Sequence, residues 1–309
     1  MTTAQGARVL IAIALLTACG VLGDPVPAAG ATAAVASTAR VEQNSAVLDG
    51  LMAPIALYSD PLLAEVVTAA TFPAELADAA CWLEQDPAAL LAGRATYAAT
   101  RRYHWDASVE SLLVVPNELR IMAAHPRWVT RLGAAFRAQP AAVMQAVQRL
   151  RHRALISDAL FSTAQQRVAV SVGGREISIE PTQPDTITVS YYWPALTYGP
   201  WLSNVPAFAF QPPYDVVFGR GAPIAFGIPI NVTGSPWRWF QWDWNRRQLA
   251  MLTPEGRLVL WRAHSPQARR RGTKVFSACG TVLGEAGTVR RASRAFSARP
   301  PEGHYRSTP

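Results

Sequence analysis

The chain has 309 residues, of which 50% are hydrophobic and 16% charged, a composition typical of folded proteins that argues against a disordered chain. The net charge is +8, but residues 262–309 contain ten Lys and Arg against two Asp and Glu, which is +8 by itself. The remaining residues are therefore neutral overall and give no support for a basic groove in the folded part. We expect no nucleic-acid partner.

An export signal is predicted at the N-terminus. Arg8 precedes the apolar run Val9–Ala18, which has the length of a signal-peptide core and is too short to span a bilayer. The run ends in Leu16-Thr17-Ala18-Cys19, which resembles the bacterial lipobox, where the chain is cleaved before the cysteine and the thiol is lipidated. The resemblance implies a signal peptide over residues 1–18 and a membrane anchor of several acyl chains on Cys19.

The residues after Cys19 predict where the protein is located. Gly20 favours the outer membrane, because an acidic residue at this position usually marks retention in the inner membrane. We therefore predict an outer-membrane lipoprotein of the cell envelope that faces the periplasm. The alternative is a soluble periplasmic protein cleaved at a small-residue site such as Ala34-Val35-Ala36. Residues 19–44 are rich in Ala, Pro and Gly and are predicted to be a lipidated, flexible tether.

A bundle of short helices is predicted for residues 45–165. Proline repeatedly stands at the start of an apolar-periodic stretch, and it is tolerated there because its missing N–H would have no partner in the first helical turn. Asp60 and Asp106 are placed as N-caps, which explains both without a ligand. Each helix has one apolar stripe to bury, which predicts a compact bundle. The prolines are Pro61, Pro73, Pro87, Pro116, Pro126 and Pro140.

A small antiparallel β region is predicted for residues 166–261. Alternating apolar residues flank Gly173-Gly174, which predicts a hairpin with a two-residue turn. Thr186–Tyr191 and Ala195–Tyr198 are further strand candidates. An isolated hairpin is barely stable, so these strands must form a larger sheet or pack on the helices. Residues 262–309 are predicted to be a disordered basic tail, and the fold class is α+β.

Large aromatic residues are concentrated in the β region. They bury a large area and keep a polar edge, so they suit a core, a junction between the two regions, or an exposed surface on which a ligand stacks. Packing is favoured, because large exposed apolar patches are unusual in monomers. The candidates for an aromatic binding platform are Tyr191, Tyr192, Trp193, Tyr198, Trp201, Trp237, Trp239, Trp242 and Trp244.

Motifs of the common enzyme classes are absent from the sequence. It contains no GxSxG, HExxH, GxxxxGK[ST] or GxGxxG, so we predict no catalytic residues, no metal and no cofactor. Glu65 is interpreted as a helix-surface carboxylate without an evident partner, and Arg149, Arg151 and Arg153 as a solvated helix face. A structural disulfide between Cys81 and Cys279 is an open alternative that the sequence does not favour, because one cysteine lies in a predicted helix and the other in the tail.

Four stretches resemble a known family in their order and spacing. They are LDGLMAPIALYSDPLLAEVVTAATFPAELADAACWL (48–83), WDASVESLLVVPNEL (105–119), WVTRLGAAFRAQPAAVMQAVQRLR (128–151) and ISIEPTQPDTITVSYYWPALTYGPW (177–201). The chain resembles the domain-of-unknown-function 3300 family of bacterial envelope proteins over about residues 45–201. The resemblance implies an exported protein with no assigned activity, and it supplies no catalytic residues. Ser59, Cys81 and Ser190 depart from the family pattern.

Three functions are consistent with these observations. The leading one is a non-enzymatic binding or assembly module of the cell envelope, attached to the membrane by its lipid and contacting peptidoglycan, polysaccharide or another envelope protein. The second is a hydrolase of peptidoglycan or polysaccharide, with a carboxylate such as Asp60 or Glu65 in a cleft of the helical domain. The third is a purely structural envelope protein.

Overall fold

The computed structural model describes residues 44–85, 103–201, 204–213, 216–233, 237, 240–253 and 256–261. The predicted signal peptide, Cys19, nearly all of the tether and the basic tail lie outside these residues, as does the predicted helix start at Pro87. Within the described part of the chain, no helix is long and apolar enough to cross a membrane.

The N-terminal part is helical, as predicted. Proline occupies the first turn of four of these helices and begins a fifth, which confirms the proline-start prediction for Pro61, Pro73, Pro116, Pro126 and Pro140. The described helices are α1 (residues 44–52), α2 (Asp60–Ala69), α3 (Pro73–Gln85), α4 (Ala107–Ser111), α5 (Pro116–Ala124), α6 (Pro126–Ala138), α7 (Pro140–Ile156) and the short α8 (Pro194–Thr197), with a 3₁₀ turn at Leu112–Val114.

Helix α2 lies at the centre of the molecule. All of its residues except Pro61 are buried, and it packs against α4 and α6 on the helical side and against strands on the other. The contact with α6 is close at Gly133, where an added Cβ would lie 2.0 Å from the carbonyl oxygen of Ala70. Only glycine therefore permits this approach of the two backbones.

The C-terminal part consists of short antiparallel strands, which confirms the α+β fold class. They pair as β1–β2, β3–β6, β4–β5 and β7–β8–β9. The β1–β2 hairpin packs on α2 and α7, and β7 packs on α2. The strands are β1 (Gln166–Val170), β2 (Ile177–Pro181), β3 (Thr186–Ile187), β4 (Ser190–Tyr192), β5 (Ile224–Phe226), β6 (Ile230–Asn231), β7 (Phe240–Asp243), β8 (Gln248–Leu252) and β9 (Leu258–Leu260).

Two predictions in the β region need correction. The strand predicted at Ala195–Tyr198 is instead the helical turn α8, because Pro194 starts a helix here as the earlier prolines do. The hairpin turn contains Gly173 and Gly174, both at positive φ, as predicted, but its loop is longer than two residues. Ser171 still pairs with Glu176 by a backbone hydrogen bond, so four residues form the loop.

The tryptophan-rich segment 236–245 is only partly a strand. Trp237 lies in a turn before β7, and β7 pairs with β8 without interruption from Phe240 to Asp243. Residues 240, 242 and 244 therefore follow one side of the chain, and Trp242 and Trp244 stack with ring centroids 5.0 Å apart.

Cys81, a half-buried residue in the last turns of α3, is disulfide-bonded, which is the alternative that the sequence did not favour. The other two cysteines of the sequence, Cys19 and Cys279, both lie outside the described residues. Sequence spacing gave no signal for this bond, because the three cysteines are far apart along the chain.

Candidate functional site

The β region is attached to α2 at Asp60, which we call the Asp60 junction. Nε1 of Trp244 donates a hydrogen bond to Oδ2 of Asp60 over 2.7 Å, and Nε1 of Trp242 donates to the Asp60 backbone carbonyl over 3.0 Å. The backbone N–H of Ile179 in β2 lies 3.4 Å from Oδ1. One aspartate thus fixes both the hairpin and the three-stranded sheet to the helical layer.

The buried carboxylate of Asp60 forms an ion pair with the guanidinium of Arg151 in α7. Its Nη1 lies 2.6 Å from Oδ1 of Asp60, and its guanidinium lies 5.0 Å from the ring centroid of Trp244. The side chain is 0% exposed, and a buried charge is tolerated when it is paired and its remaining donors are bonded. The remaining donors of Arg151 bond to the carbonyls of Ala56, Tyr58 and Ile177.

This geometry overturns three interpretations from the sequence. Asp60 is the first residue of α2 and bonds Arg151, whereas Ser59 occupies the N-cap position and makes no side-chain cap. Arg151 is buried and does not belong to a solvated face. Glu65 is buried too, and accepts a hydrogen bond from the Ser111 hydroxyl over 2.8 Å. The N-cap prediction for Asp106 is confirmed, since its carboxylate accepts from the Ser108 N–H.

The side chains of the two neighbouring arginines also contact other parts of the protein. Arg149 pairs with Asp49 on the surface, with Nη2 and Oδ1 2.5 Å apart. Arg153 lies over the ring of Trp201 at 4.8 Å and donates to the carbonyls of Tyr198 and Pro200. The three arginines of α7 therefore connect this helix to the N-terminal helix and to the β region.

Glu118 and four tyrosines, Tyr58, Tyr191, Tyr192 and Tyr198, form a buried polar cluster beside the junction. The Tyr58 hydroxyl donates to Oε2 of Glu118 over 2.5 Å. The Tyr192 hydroxyl accepts from the Leu57 N–H over 3.1 Å, and the Tyr198 hydroxyl donates to the Ala53 carbonyl over 2.8 Å. These bonds attach β4 and α8 to the segment between α1 and α2.

Burial dominates the electrostatics of this cluster. It raises the pKa of Glu118 to about 7, although hydrogen bonds from Tyr58 and Tyr191 oppose the rise. Burial also raises the pKa values of Tyr58, Tyr192 and Tyr198 well above their ordinary range, so these hydroxyls stay protonated; those of Tyr58 and Tyr198 keep donating, and that of Tyr192 keeps accepting. Glu118 is the group of this cluster that titrates near neutral pH.

A cleft of about 590 Å³ opens between the β1–β2 hairpin and the three-stranded sheet, and we call it the hairpin–sheet cleft. Trp242 and Trp244 line it, directly above the Asp60 junction. A second cavity of about 200 Å³, lined by Asp60, Glu180, Gln241 and Trp242 among others, adjoins it along β7. The polar lining residues of the large cleft are Ser171, Glu176, Ser178, Gln241, Asp243, Asn245 and Arg246.

Several polar groups of the cleft are held in place. The Ser171 hydroxyl lies 2.7 Å from Oε2 of Glu176, which links the two ends of the hairpin loop. Asp243 accepts from the backbone N–H and the side chain of Arg246, and these bonds lower the pKa of its carboxyl. The carboxylate of Asp243 is therefore ionised at neutral pH and paired.

The predicted aromatic platform residues are divided between packing and the cleft. Tyr191, Tyr192, Tyr198 and Trp237 are buried, and Trp193, Trp201, Trp242 and Trp244 are half-buried. Trp239 lies outside the described residues. Of the nine, Trp242 and Trp244 line the hairpin–sheet cleft.

Other residues of the site had no sequence signal of their own. Glu176 and Ser178 come from the hairpin and Gln241 and Asn245 from the tryptophan-rich segment, and only the fold brings them together. Among the described residues, no group of three or more His, Cys, Asp or Glu side chains is placed to hold a metal ion.

Most of the chain matches a known protein family. The family described as "Protein of unknown function (DUF3300)" matches residues 44–273, about three quarters of the chain. The chain belongs to this family. The resemblance predicted over residues 45–201 is confirmed, and the match extends through the tryptophan-rich segment and β9.

A relative in Escherichia coli (strain K12), "Uncharacterized protein YacH", is 33% identical over 233 residues, which cover 65% of this chain. The chain spans about 37% of the length of that relative. No solved structure matches the chain. Family membership therefore brings no established activity to the site.

Proposed function

We propose that the protein is an exported cell-envelope lipoprotein that acts as a non-enzymatic binding module through the hairpin–sheet cleft. The observation that carries the proposal is the cleft itself, a concave site with half-buried aromatic rings and a small set of oriented polar groups. Clefts of this size, within the range of about 300–1,000 Å³, are typical ligand sites. The Asp60 junction gives the cleft a rigid base.

Export is supported by two features of the cysteines. The lipobox-like sequence ending at Cys19 predicts lipidation, and a disulfide of Cys81 suits an oxidising compartment such as the periplasm. A thiol that carries lipid cannot also form a disulfide, so the proposal requires Cys279 as the partner of Cys81. We expect metabolic labelling with a radioactive fatty acid to mark the wild-type protein. Cys19→Ala should abolish the label and release the protein from washed membranes. Equal labelling of both proteins would contradict the lipoprotein assignment.

The two carboxylates named for the hydrolase alternative are occupied by contacts within the protein. Asp60 is committed to Arg151 and Trp244, and Glu65 is buried against Ser111. A glycosidase needs two carboxyl groups that both face the substrate, one as acid and one as base or nucleophile. Neither Asp60 nor Glu65 is placed for that role, so the carboxylates singled out from the sequence do not support hydrolysis.

Blocking the cleft tests the proposal. Ala169 lines the cleft from β1, and Ala169→Trp should fill part of it without disturbing the core, since residue 169 is exposed. Purified full-length protein would be mixed with isolated peptidoglycan, envelope polysaccharide or envelope proteins, and the retained fraction measured. We expect wild type to be retained by one of these and Ala169→Trp to lose at least about tenfold in affinity.

The matched control is Val172→Trp, which adds the same ring to the same hairpin at a fully exposed position outside the cleft. It should be retained like wild type. Equal retention of wild type and Ala169→Trp on every fraction would show that the cleft is not the binding site.

A further inference from the structure

We infer that the hairpin–sheet cleft binds an uncharged glycan, an oligosaccharide strand whose units carry hydroxyl and amide groups and no anionic groups. The inference rests on the proposed function and names the ligand class of the same site. It follows from what the lining offers to a ligand: carbon surface at the base, uncharged polar groups at the walls, a slight negative charge, and an extension along β7.

The aromatic part of the cleft offers carbon and no free N–H donor. The indole N–H groups of Trp242 and Trp244 are both bonded to Asp60. Trp244 is in addition stacked on Trp242 and faced by the guanidinium of Arg151. The ring edges that reach the cleft therefore offer apolar surface without a free donor, against which the carbon skeleton of a sugar can be buried.

The walls offer hydrogen-bonding groups of both kinds. Ser171 and Ser178 carry hydroxyls, and Gln241 and Asn245 carry amides that donate and accept. The side chains of Gln241 and Asn245 are exposed and form no hydrogen bond with the described part of the chain, so a ligand can bond them. A sugar combines apolar C–H faces with hydroxyl edges, which matches this division between base and walls.

The charge of the cleft disfavours an anionic ligand. Glu176 and Asp243 carry two negative charges, and Arg246, the basic residue of the lining, is already paired with Asp243. The lining sums to −1 from these three side chains, so phosphate or uronate groups would meet repulsion. An uncharged glycan meets none, and its hydroxyls can donate to the carboxylate of Glu176.

The shape favours a strand of several units over a single sugar. Gln241 and Trp242 line both the 590 Å³ cleft and the 200 Å³ cavity, so the two spaces follow one another along β7. The smaller cavity is lined by a further carboxylate, that of Glu180, and by Asp60 and Trp242 of the Asp60 junction. A ligand that extends from one space to the other contacts both sides of β7.

The test is titration calorimetry of the purified full-length protein with chitotetraose, the uncharged tetramer of N-acetylglucosamine, followed in parallel by tryptophan fluorescence. We expect saturable binding and a change in the emission of Trp242 and Trp244. Gln241→Ala and Asn245→Ala should each weaken binding about fivefold, as the loss of one hydrogen bond predicts. Gln248→Ala is the matched control, an exposed glutamine on the adjacent strand outside the cleft, and it should bind like wild type.

Three results would overturn the inference. They are no binding of chitotetraose at millimolar concentration, binding that Gln241→Ala and Asn245→Ala leave unchanged, or tighter binding of the anionic tetragalacturonate. A tetrapeptide that binds in the cleft where chitotetraose does not would also overturn it, yet would leave the proposed binding function intact. Loss of the proposed function itself would be seen separately, as equal retention of wild type and Ala169→Trp on every envelope fraction.

Discussion

The helical layer and the β region of this protein are stabilised in different ways. The helices bury continuous apolar faces, and α2 is buried on nearly every side. In the described part of the chain the strands are two to five residues long and form four small sheets, and hydrogen bonds from indole N–H and phenol groups attach the β region to the helices. Short strands carry little stability of their own. The β region therefore depends on a few polar anchors, and the helices depend on packing.

This dependence on polar anchors explains why so many aromatic residues lie in the C-terminal half. Each ring fills space between the layers and brings one polar atom to a backbone or carboxylate partner in the helical layer. Tyr192, Tyr198, Trp242 and Trp244 all follow this pattern. Variants that remove an anchor should affect the β region first, and variants that disturb the packing should affect the whole molecule.

The largest effect is expected at the Asp60 junction. Arg151→Met removes the partner of the buried Asp60 carboxylate and leaves three backbone carbonyls without their donor. We expect the free energy of unfolding to fall by about 3–5 kcal/mol, the usual cost of breaking a buried ion pair, as measured by urea denaturation. The double variant Arg151→Met/Asp60→Asn should recover part of the loss, because it no longer buries an unpaired charge.

Arg149→Met is the control for this prediction. It also breaks an arginine–aspartate pair of α7, but the Arg149 side chain is 38% exposed, so the expected loss is about 0–1 kcal/mol. Equal losses for Arg149→Met and Arg151→Met would contradict the role of burial in the junction.

The next largest loss of stability is expected where α6 packs on α2. Gly133→Ala places a Cβ 2.0 Å from the carbonyl oxygen of Ala70 and forces α6 away from α2. Overpacking costs typically about 1–3 kcal/mol, and a backbone contact this close should lie at the upper end. Thermal unfolding followed by circular dichroism would measure it. Gly219→Ala, where the added Cβ makes an ordinary contact at 3.5 Å, should change the stability little.

Glu118 should make the stability depend on pH. Its pKa is raised from 4.5 to about 7 in the folded protein, so the folded state keeps a proton that the unfolded state loses. The stabilisation by protonated Glu118 is fully present below about pH 4.5 and is lost as the pH rises through 7. Over this range the free energy of unfolding should fall by up to about 3 kcal/mol. Glu118→Gln should flatten this part of the pH profile in urea titrations. An unchanged profile would show that Glu118 is ionised in the folded state.

The smallest effect is expected for a single anchor of the β region. Tyr192→Phe removes the hydroxyl that accepts from the Leu57 N–H and leaves this buried donor without its partner, at a cost of about 1–2 kcal/mol. Hydrogen exchange should accelerate in β4 and β5 more than in α2. Uniform acceleration across both layers would mean that the two layers unfold together and would remove the distinction between them.

The sequence predicted the architecture better than the site. Proline at helix starts, the change of apolar period near residue 166 and glycines in the hairpin loop are local signals, and each has a local structural consequence. The pairing of β3 with β6 and of β4 with β5 joins segments more than thirty residues apart, and no local pattern encodes it.

The charged residues at the site could not be interpreted from local rules. Asp60 has the sequence context of a cap, and Arg151 lies between two arginines that suggested a solvated face. Their pairing depends on α7 lying next to the start of α2, a tertiary contact that replaces the local preference for capping and solvation. The cleft has the same origin, because Glu176 and Asn245 line one cleft only after the hairpin and the sheet have packed on the helices.

The hydrogen bond between Asp60 and Trp244 joins residues 184 positions apart. During synthesis the N-terminal residues emerge first, so α2 and α7 are made long before the indole that completes their junction. Until Trp244 follows, the Asp60–Arg151 pair has one open side and the faces that receive the strands are uncovered. The tryptophan-rich segment is thus needed to complete the packing of the first half of the chain, and a product truncated before Trp244 should be degraded more readily by proteases.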